Sequence, residues 1–478
     1  MKRTLWATLA LDRRQPATLQ DQLSSSLREA IQTGSISSGT MLPSTRELAS
    51  ELAISRNTVI AAYDRLMGEG YLESKPRSGI MVREGLGSFG IAVAPTSKTD
   101  SRLSLKRRLK FEVPLPKPFH PCQPDVNLFP MSMWNRMRNR VLRRYGAGLL
   151  HYQSSFALGW PELRHALAEY LRSNRGVQCG WQNIAITSGS QQALFLLGQL
   201  LLKRSSVVAC ENPGYVGARA AFLHAGAKLR LLPVDELGVV PPQKTGQVDL
   251  VYATPSRQFP TGATLPVARR TALLEYIQRA GAWMVEDDYD SEFRYTRPPL
   301  PSLHSLDRSG RVIYLGTMSK VLLPTLRIGY LVLPDSLVAG FESLRLVTED
   351  HGPMIDQATL AEFLLQGGFY SHIRRCRKNY AKRLEVFLRV AEQLRLPLEF
   401  RFTDGGMNQT GLFHDSSTDD VAVSKALSQA GLDVRALSHY SSNTKQYRPG
   451  LVFGFTAFSP ATIRNSLKVV AQVLEKFA

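Results

Sequence analysis

Val312-Ile313-Tyr314-Leu315-Gly316-Thr317-Met318-Ser319-Lys320 is an apolar run that stops on a Gly/Thr/Ser turn and a lysine. Four consecutive β-rich apolar residues bounded by a turn predict a buried strand. Three other stretches have the same build. Trp283-Met284-Val285 delivers Glu286-Asp287-Asp288-Tyr289 to its C-terminal end. Ile184-Ala185-Ile186 runs into Thr187-Ser188-Gly189-Ser190-Gln191-Gln192-Ala193-Leu194, a turn that opens an apolar helix. Ser206-Val207-Val208-Ala209 precedes Glu211-Asn212-Pro213-Gly214-Tyr215. Short strands alternating with helical segments from about Phe119 onward predict an α/β domain, whose ligand sites lie at the carboxyl ends of the strands.

The chemistry at those ends is mutually consistent. A lysine at the end of an apolar strand suits a Schiff base once its pKa is depressed. The turn before Ser190 offers free backbone N–H groups and a helix dipole to an anion. Pyridoxal phosphate needs a lysine, an acidic partner for its pyridine nitrogen and a phosphate seat. Lys320 supplies the first and Asp287 the second. Ser190, Gln191, Thr317, Ser319 and Arg327 supply the third. Each signal is weak alone, because most lysines are solvated and a strand-end Asp often only caps a helix. Their order along the chain carries the argument.

A second module precedes this one. In Leu42-Pro43-Ser44-Thr45-Arg46-Glu47-Leu48-Ala49-Ser50-Glu51-Leu52-Ala53-Ile54-Ser55-Arg56-Asn57-Thr58-Val59, Ser44 and Glu47 have capping-box spacing, and Leu48 and Leu52 share a helix face. Ser55 caps a second helix with Val59, Tyr63, Leu66 and Met67 as its buried stripe. Its first turn exposes Arg56, Asn57 and Thr58, as a helix entering a major groove would. Gly70 to Val82 reads as a β-hairpin wing with Lys75 and Arg77 near its tip. A helix over 19–32, with Leu23, Leu27 and Ile31 inward, packs behind the pair.

Composition agrees with this division. The chain has 478 residues, enough for more than one domain. Its 44% apolar content is that of a globular protein. Lys plus Arg number 59 against 40 Asp plus Glu, a formal charge of +19, which favours a polyanionic partner. The excess is spread along the chain, with basic runs at Arg136–Arg144 and Arg374–Lys378 that are expected on solvated helix faces. Residues 1–83 form the first domain, 84–118 a Gly/Pro-bearing basic linker, and 119–478 the large domain. Four scattered cysteines argue for a reducing compartment and against a disulfide framework or a zinc site. No run is long and apolar enough for a membrane span, and the start resembles a signal peptide too faintly to imply secretion, so a cytoplasmic protein is expected.

The N-terminal module resembles the winged helix-turn-helix of GntR-type transcription factors, most specifically in Leu-Pro-Ser-Thr-Arg-Glu-Leu-Ala followed by Ser-Arg-Asn-Thr-Val. By that resemblance Arg46, Arg56, Thr58 and Arg77 contact double-stranded DNA, with Asn57 and Lys75 beside them. The large domain resembles a fold-type I aminotransferase. The phrases that carry this are Glu211–Tyr215, Thr254-Pro255-Ser256-Arg257-Gln258-Phe259-Pro260-Thr261-Gly262, Glu286–Phe293 and Gly316–Lys320. Together the two halves resemble the MocR/GabR group of regulators. The resemblance implies Lys320 as the Schiff-base lysine and Asp287 at the pyridine nitrogen. It puts Tyr289 near the ring hydroxyl and Tyr215 beside the ring, with Arg327, Ser190, Gln191 and Thr317 on the phosphate. It also implies a homodimer that senses a small effector, either an amine or the cofactor itself.

Two departures bear on that sensing. Aminotransferases have Asn where Phe259 stands, and an Arg for the substrate carboxylate where Val452 stands. The GABA-responsive relatives also use an Arg near the position of Gly217. Losing a carboxylate clamp removes on the order of 1.5–3 kcal/mol per charge-assisted hydrogen bond, which disfavours ordinary amino acids as effectors. Arg219, Arg257 and Arg448 are the candidate substitutes. A working aminotransferase with an appended DNA-binding domain is the alternative function.

Overall fold

The computed structural model describes residues 11–15, 17–75, 79–85, 115–244, 246–296, 300–401, 404–442 and 448–477. The chain divides into two compact units, Met1–Pro114 and Leu115–Ala478. Most of the expected linker, residues 86–114, lies outside the described residues.

The first unit holds three helices, α1 (Leu19–Gln32), α2 (Thr45–Glu51) and α3 (Arg56–Gly68), then strands β1 (Leu72–Lys75) and β2 (Gly79–Val82). Thr18 caps α1, and Leu23, Leu27 and Ile31 are its buried face, as the spacing of four predicts. At α2 the capping box forms in both directions: Glu47 N–H donates to Ser44 Oγ at 3.2 Å and Ser44 N–H to Glu47 Oε2 at 2.9 Å. Ser55 accepts from Thr58 N–H and starts α3. Val59, Tyr63 and Leu66 are fully buried, whereas Met67 and Leu52 are only half-buried because each sits at the end of its helix. The wing is an antiparallel pair with Lys75 opposite Gly79. Residues 76–78, and so Arg77, lie outside the described residues.

The second unit opens with α4 (Met131–Tyr145) and α5 (Pro161–Arg175). An alternating chain of strands and helices follows: β3 (Ile184–Thr187), α6 (Ser190–Leu201), β4 (Val207–Asn212), α7 (Val216–His224), β5 (Lys228–Asp235) and β6 (Gly238–Val239). Then come β7 (Leu250–Ala253), α8 (Val267–Ala280), β8 (Trp283–Asp288), α9 (Leu303–Leu306), β9 (Val312–Thr317) and β10 (Gly329–Val332). The strands form one sheet in the order β3-β10-β9-β8-β7-β4-β5-β6. Only β10 and β6 run against the others. The central strands are buried on both faces, which is why they read as unbroken apolar runs rather than alternations. All five turns that carry sequence motifs therefore meet at one edge of the sheet, beyond the ends of β3, β4, β7, β8 and β9.

Helices α10 (Asp335–Thr348), α11 (Met354–Leu365) and α12 (Gly368–Gln393) lead to a smaller antiparallel sheet. It consists of β11 (Leu398–Phe400), β12 (Asn408–Phe413), β13 (Arg435–Ala436) and β14 (Gly450–Gly454), with α13 (Asp420–Gln429) before β13 and α14 (Pro460–Leu474) after β14. Its order is β11-β12-β14-β13. Phe119, Phe387 and Phe453 pack edge to face or tilted beneath it. The basic runs sit on α4 and α12 as expected, with Arg136, Arg138, Arg140, Arg143, Arg144, Arg374 and Arg375 exposed. No helix among the described residues is long and apolar enough to cross a membrane.

Candidate functional site

Two sets of candidate functional side chains are present, one in each unit. In the first unit, Arg46 on α2 and Arg56 and Asn57 at the start of α3 are exposed, and Thr58 is half-buried. Arg56 Nε donates to Thr45 Oγ1 at 3.3 Å, a weak contact that leaves most of the guanidinium open. Thr58 Oγ1 lies 3.0 Å from Ser55 Oγ. Lys75 Nζ is 3.6 Å from Glu84 Oε1, a solvent-exposed pair that a stronger anion would displace. The other arginines of this unit differ. Arg28 and Arg65 both donate to Glu69, and Arg65 also to Asp21, so their charges are spent holding α1 to α3.

In the second unit, the strand ends enclose a cavity of about 430 Å³. Every cofactor residue named from the sequence lines it: Ser190, Gln191, Tyr215, Asp287, Tyr289, Thr317, Ser319, Lys320 and Arg327. Asp287 is fully enclosed at the end of β8. Tyr252 of β7 donates to its Oδ2 at 2.7 Å, while Oδ1 is buried with no hydrogen-bond partner among the described residues. Burial pushes the Asp287 carboxyl up to about 7; the Tyr252 hydroxyl and Lys320 pull it down, and Asp288 pushes it further up. A buried acceptor with one open oxygen matches a ring N–H⁺ donor.

The anion seat is equally specific. Gly189 stands before α6 with φ 88° and no side-chain cap, so the first amides of α6 are not satisfied by a capping side chain. A Cβ on Gly189 would lie 3.3 Å from the Arg327 guanidinium, and one on Gly329 would lie 2.9 Å from Gly189 itself. Only glycines let the turn, β10 and Arg327 approach this closely. Arg327 Nη2 donates to Ser188 O at 2.7 Å, which aims its fork at the seat. Ser319 N–H donates to Thr317 Oγ1, and Ser319 Oγ is buried and unpaired among the described residues. Tyr215 O–H donates to Gln191 Oε1 at 3.1 Å, tying the turn after β4 to the turn after β3. These donors and the open Asp287 oxygen fit pyridoxal phosphate.

Residues not singled out from the sequence complete the wall. Tyr252 and Thr254 come from β7 and its end, His120 and Cys122 from the segment before α4, and Arg435, His439 and Tyr440 from β13 and the turn after it. Phe259 is buried and packs edge to face on Tyr215, Tyr289 and Tyr440. Val452 is fully buried in the same cluster. The three proposed substitutes for the missing clamp do not line the cavity. Arg219 donates to Asn212, Ser442 and the Tyr440 carbonyl. Arg257 donates to the Asn408 carbonyl and pairs with Asp290. Arg448 pairs with Glu399. Each is held by a local acceptor, which sequence spacing could not reveal.

Known families match segments of both units. The family model described as bacterial regulatory proteins of the gntR family matches residues 19–82, and that of aminotransferase class I and II matches residues 153–429. The chain is 37% identical over 98% of its length to the probable rhizopine catabolism regulatory protein MocR of Rhizobium meliloti, of which it covers 96%. It is 32% identical over 98% of its length to the pyridoxine biosynthesis transcriptional regulator PdxR of Corynebacterium glutamicum, and covers 98% of that protein. Among solved structures, the kynurenine aminotransferase of Pyrococcus horikoshii superposes with a TM-score of 0.70 at 26% identity, over 76% of this chain and 92% of that one. The two family models follow one another along this chain, its regulator relatives match it over nearly its full length, and the chain belongs to the GntR-type, MocR-like family of transcriptional regulators.

Proposed function

We propose that this regulator holds pyridoxal phosphate in the large unit, senses a small amine there, and binds duplex DNA through the first unit as a homodimer. The observation that carries the cofactor reading is Asp287: a buried carboxylate with one oxygen open, in a cavity that Lys320 also lines. Bound pyridoxal phosphate supplies an aldehyde that condenses reversibly with amines. Asp287 holds the proton on the ring nitrogen, and Tyr252 keeps that carboxylate ionised. Arg327, Ser190, Gln191, Thr317 and Ser319 hold the phosphate. Tyr215 covers the ring, Tyr289 stands near its hydroxyl, and Lys320 anchors it.

On the DNA side, Arg46, Arg56, Asn57 and Thr58 enter the major groove while Lys75 and Arg77 hold the backbone. Exposed apolar side chains on the large unit favour the pairing of two copies. Leu150 and Tyr152 are 69% and 88% exposed, and Tyr152 packs edge to face on His351. Phe259 and Val452, apolar where aminotransferases place Asn and Arg, favour sensing over turnover. The experiment is an absorption spectrum with added pyridoxal phosphate, before and after borohydride, with mass mapping of the adduct. A Schiff-base band with the adduct on Lys320 is expected; no band and no adduct would overturn the cofactor reading.

A further inference from the structure

The turn that opens α6 has no side-chain cap, and Gly189 within it stands at φ 88°, where no β-carbon limits its motion. Its shape is set from outside. Ser188 is gripped at three atoms. Its carbonyl accepts from Arg327 Nη2 at 2.7 Å. Its N–H donates to Gln192 Oε1 at 2.7 Å, and its Oγ donates to Glu349 Oε1 at 3.1 Å. Of these three partners, only Arg327 lines the cavity.

Gln192 and Glu349 are held in turn by one another and by Arg345. Gln192 Nε2 donates to Glu349 Oε2 at 2.6 Å. Arg345 Nη1 donates to Gln192 Oε1 at 3.0 Å and also to Glu349 Oε2. Arg345 is 1% exposed on the last turn of α10, four residues before Glu349. Burial pushes the Glu349 carboxyl up, but the bonds from Gln192, Arg345 and Ser188 outweigh it and hold the group below the ordinary carboxylate value. An ionised carboxylate only accepts hydrogen bonds. It therefore takes the amide NH2 of Gln192, which turns the amide oxygen toward Ser188 N–H. Arg345 neutralises the carboxylate, so the brace places no net negative charge behind an anion seat.

We infer that Glu349, with Arg345 and Gln192 beside it, positions the phosphate seat from outside the cavity by fixing the Ser188 turn. The inference rests on the reading that the cavity takes pyridoxal phosphate, and it concerns the phosphate alone. A seat already in shape binds its anion without first having to order the turn. Asp287 and Lys320 stand on β8 and on the turn after β9, away from this brace. Loss of Glu349 should therefore be felt at the phosphate and spare the ring.

The test uses full-length protein freed of cofactor. It is titrated with pyridoxal phosphate and with pyridoxal, which has the same ring and aldehyde but no phosphate, following the cofactor band. Wild type should prefer the phosphate ester. Glu349→Ala should cut that preference about tenfold, as expected for one lost hydrogen bond to a charged group, with the affinity for pyridoxal unchanged. Glu349→Gln keeps an acceptor without the charge and should keep part of the preference. Ser188→Ala leaves the Arg345–Glu349 pair intact and should cut the preference about fivefold. General damage to the fold would weaken both ligands alike and would not move their ratio. A wild type that binds both ligands equally, a Glu349→Ala variant that loses both equally, or one that keeps the full preference overturns the inference and leaves the cofactor reading intact. If Glu349→Ala does not fold, an unchanged preference in Ser188→Ala overturns it instead. Absence of the cofactor band in the wild type overturns both.

Discussion

Tyr252 and Asp287, on adjacent parallel strands, share a 2.7 Å hydrogen bond that leaves the other oxygen of the buried carboxylate without a partner among the described residues. The hydroxyl stabilises the ionised form, which burial opposes. Tyr252→Phe should therefore raise the Asp287 pKa further and weaken pyridoxal phosphate binding by about tenfold, as expected for one hydrogen bond to a charged group. Equilibrium titration of the cofactor band measures it. An unchanged affinity would separate Tyr252 from the site.

Lys320→Ala should abolish the borohydride-reducible adduct while leaving the fold intact, because Lys320 is only half-buried. The check is the mass of the reduced protein together with its circular dichroism. An adduct of normal yield on another lysine would move the anchor elsewhere.

Arg56→Ala should weaken binding to operator DNA and lower the salt dependence by roughly one released counterion if the side chain meets a phosphate. Cofactor content should not change. Binding isotherms at several salt concentrations give both quantities, and an affinity equal to that of wild type would remove α3 from the groove.

Ser44→Ala removes one half of the capping box and should cost about 1 kcal/mol of stability in the first unit. Glu47→Ala removes the reciprocal bond, so the double variant should lose less than the sum of the two singles. Denaturant unfolding followed in the first unit decides this.

Burial raises Glu211 and Asp290 to about 7, as it does Asp287. Carboxyls whose folded pKa exceeds the unfolded value stabilise the protein fully below about pH 4, and that contribution is lost as pH rises toward 7. The cofactor-free protein should thus gain less from neutral pH than its surface ion pairs alone would give. Glu211→Gln should flatten the pH dependence of Tm between 5 and 8, with its largest relative gain at the alkaline end. A variant that tracks wild type in parallel across that range would show that Glu211 does not titrate there.

How much of this was readable in the sequence follows from how local each feature is. Asp287, Ser190 and Lys320 each sit just past an apolar run, so strand, turn and chemistry are visible within ten residues. The capping box and α1 were legible for the same reason. Tyr252 was missed because its role depends on the neighbour β8, which only the strand order supplies. Arg435 and His120 were missed because Asp433 brings together positions 313 residues apart. Arg219, Arg257 and Arg448 looked available because the acceptors that occupy them are distant in sequence or backbone carbonyls.

The cavity wall has two origins. The cofactor anchors stand on the edge of the eight-stranded sheet, whereas Arg435, His439 and Tyr440 belong to the small C-terminal sheet and the turn beside it. The residues proposed to anchor the cofactor and the rest of the cavity wall therefore stand on separate pieces of framework. Substitutions along β13 and its turn should reshape that wall without loosening the proposed grip on the prosthetic group. Descendants of one ancestral sensor could thus diverge in what they hear while keeping the same receiver.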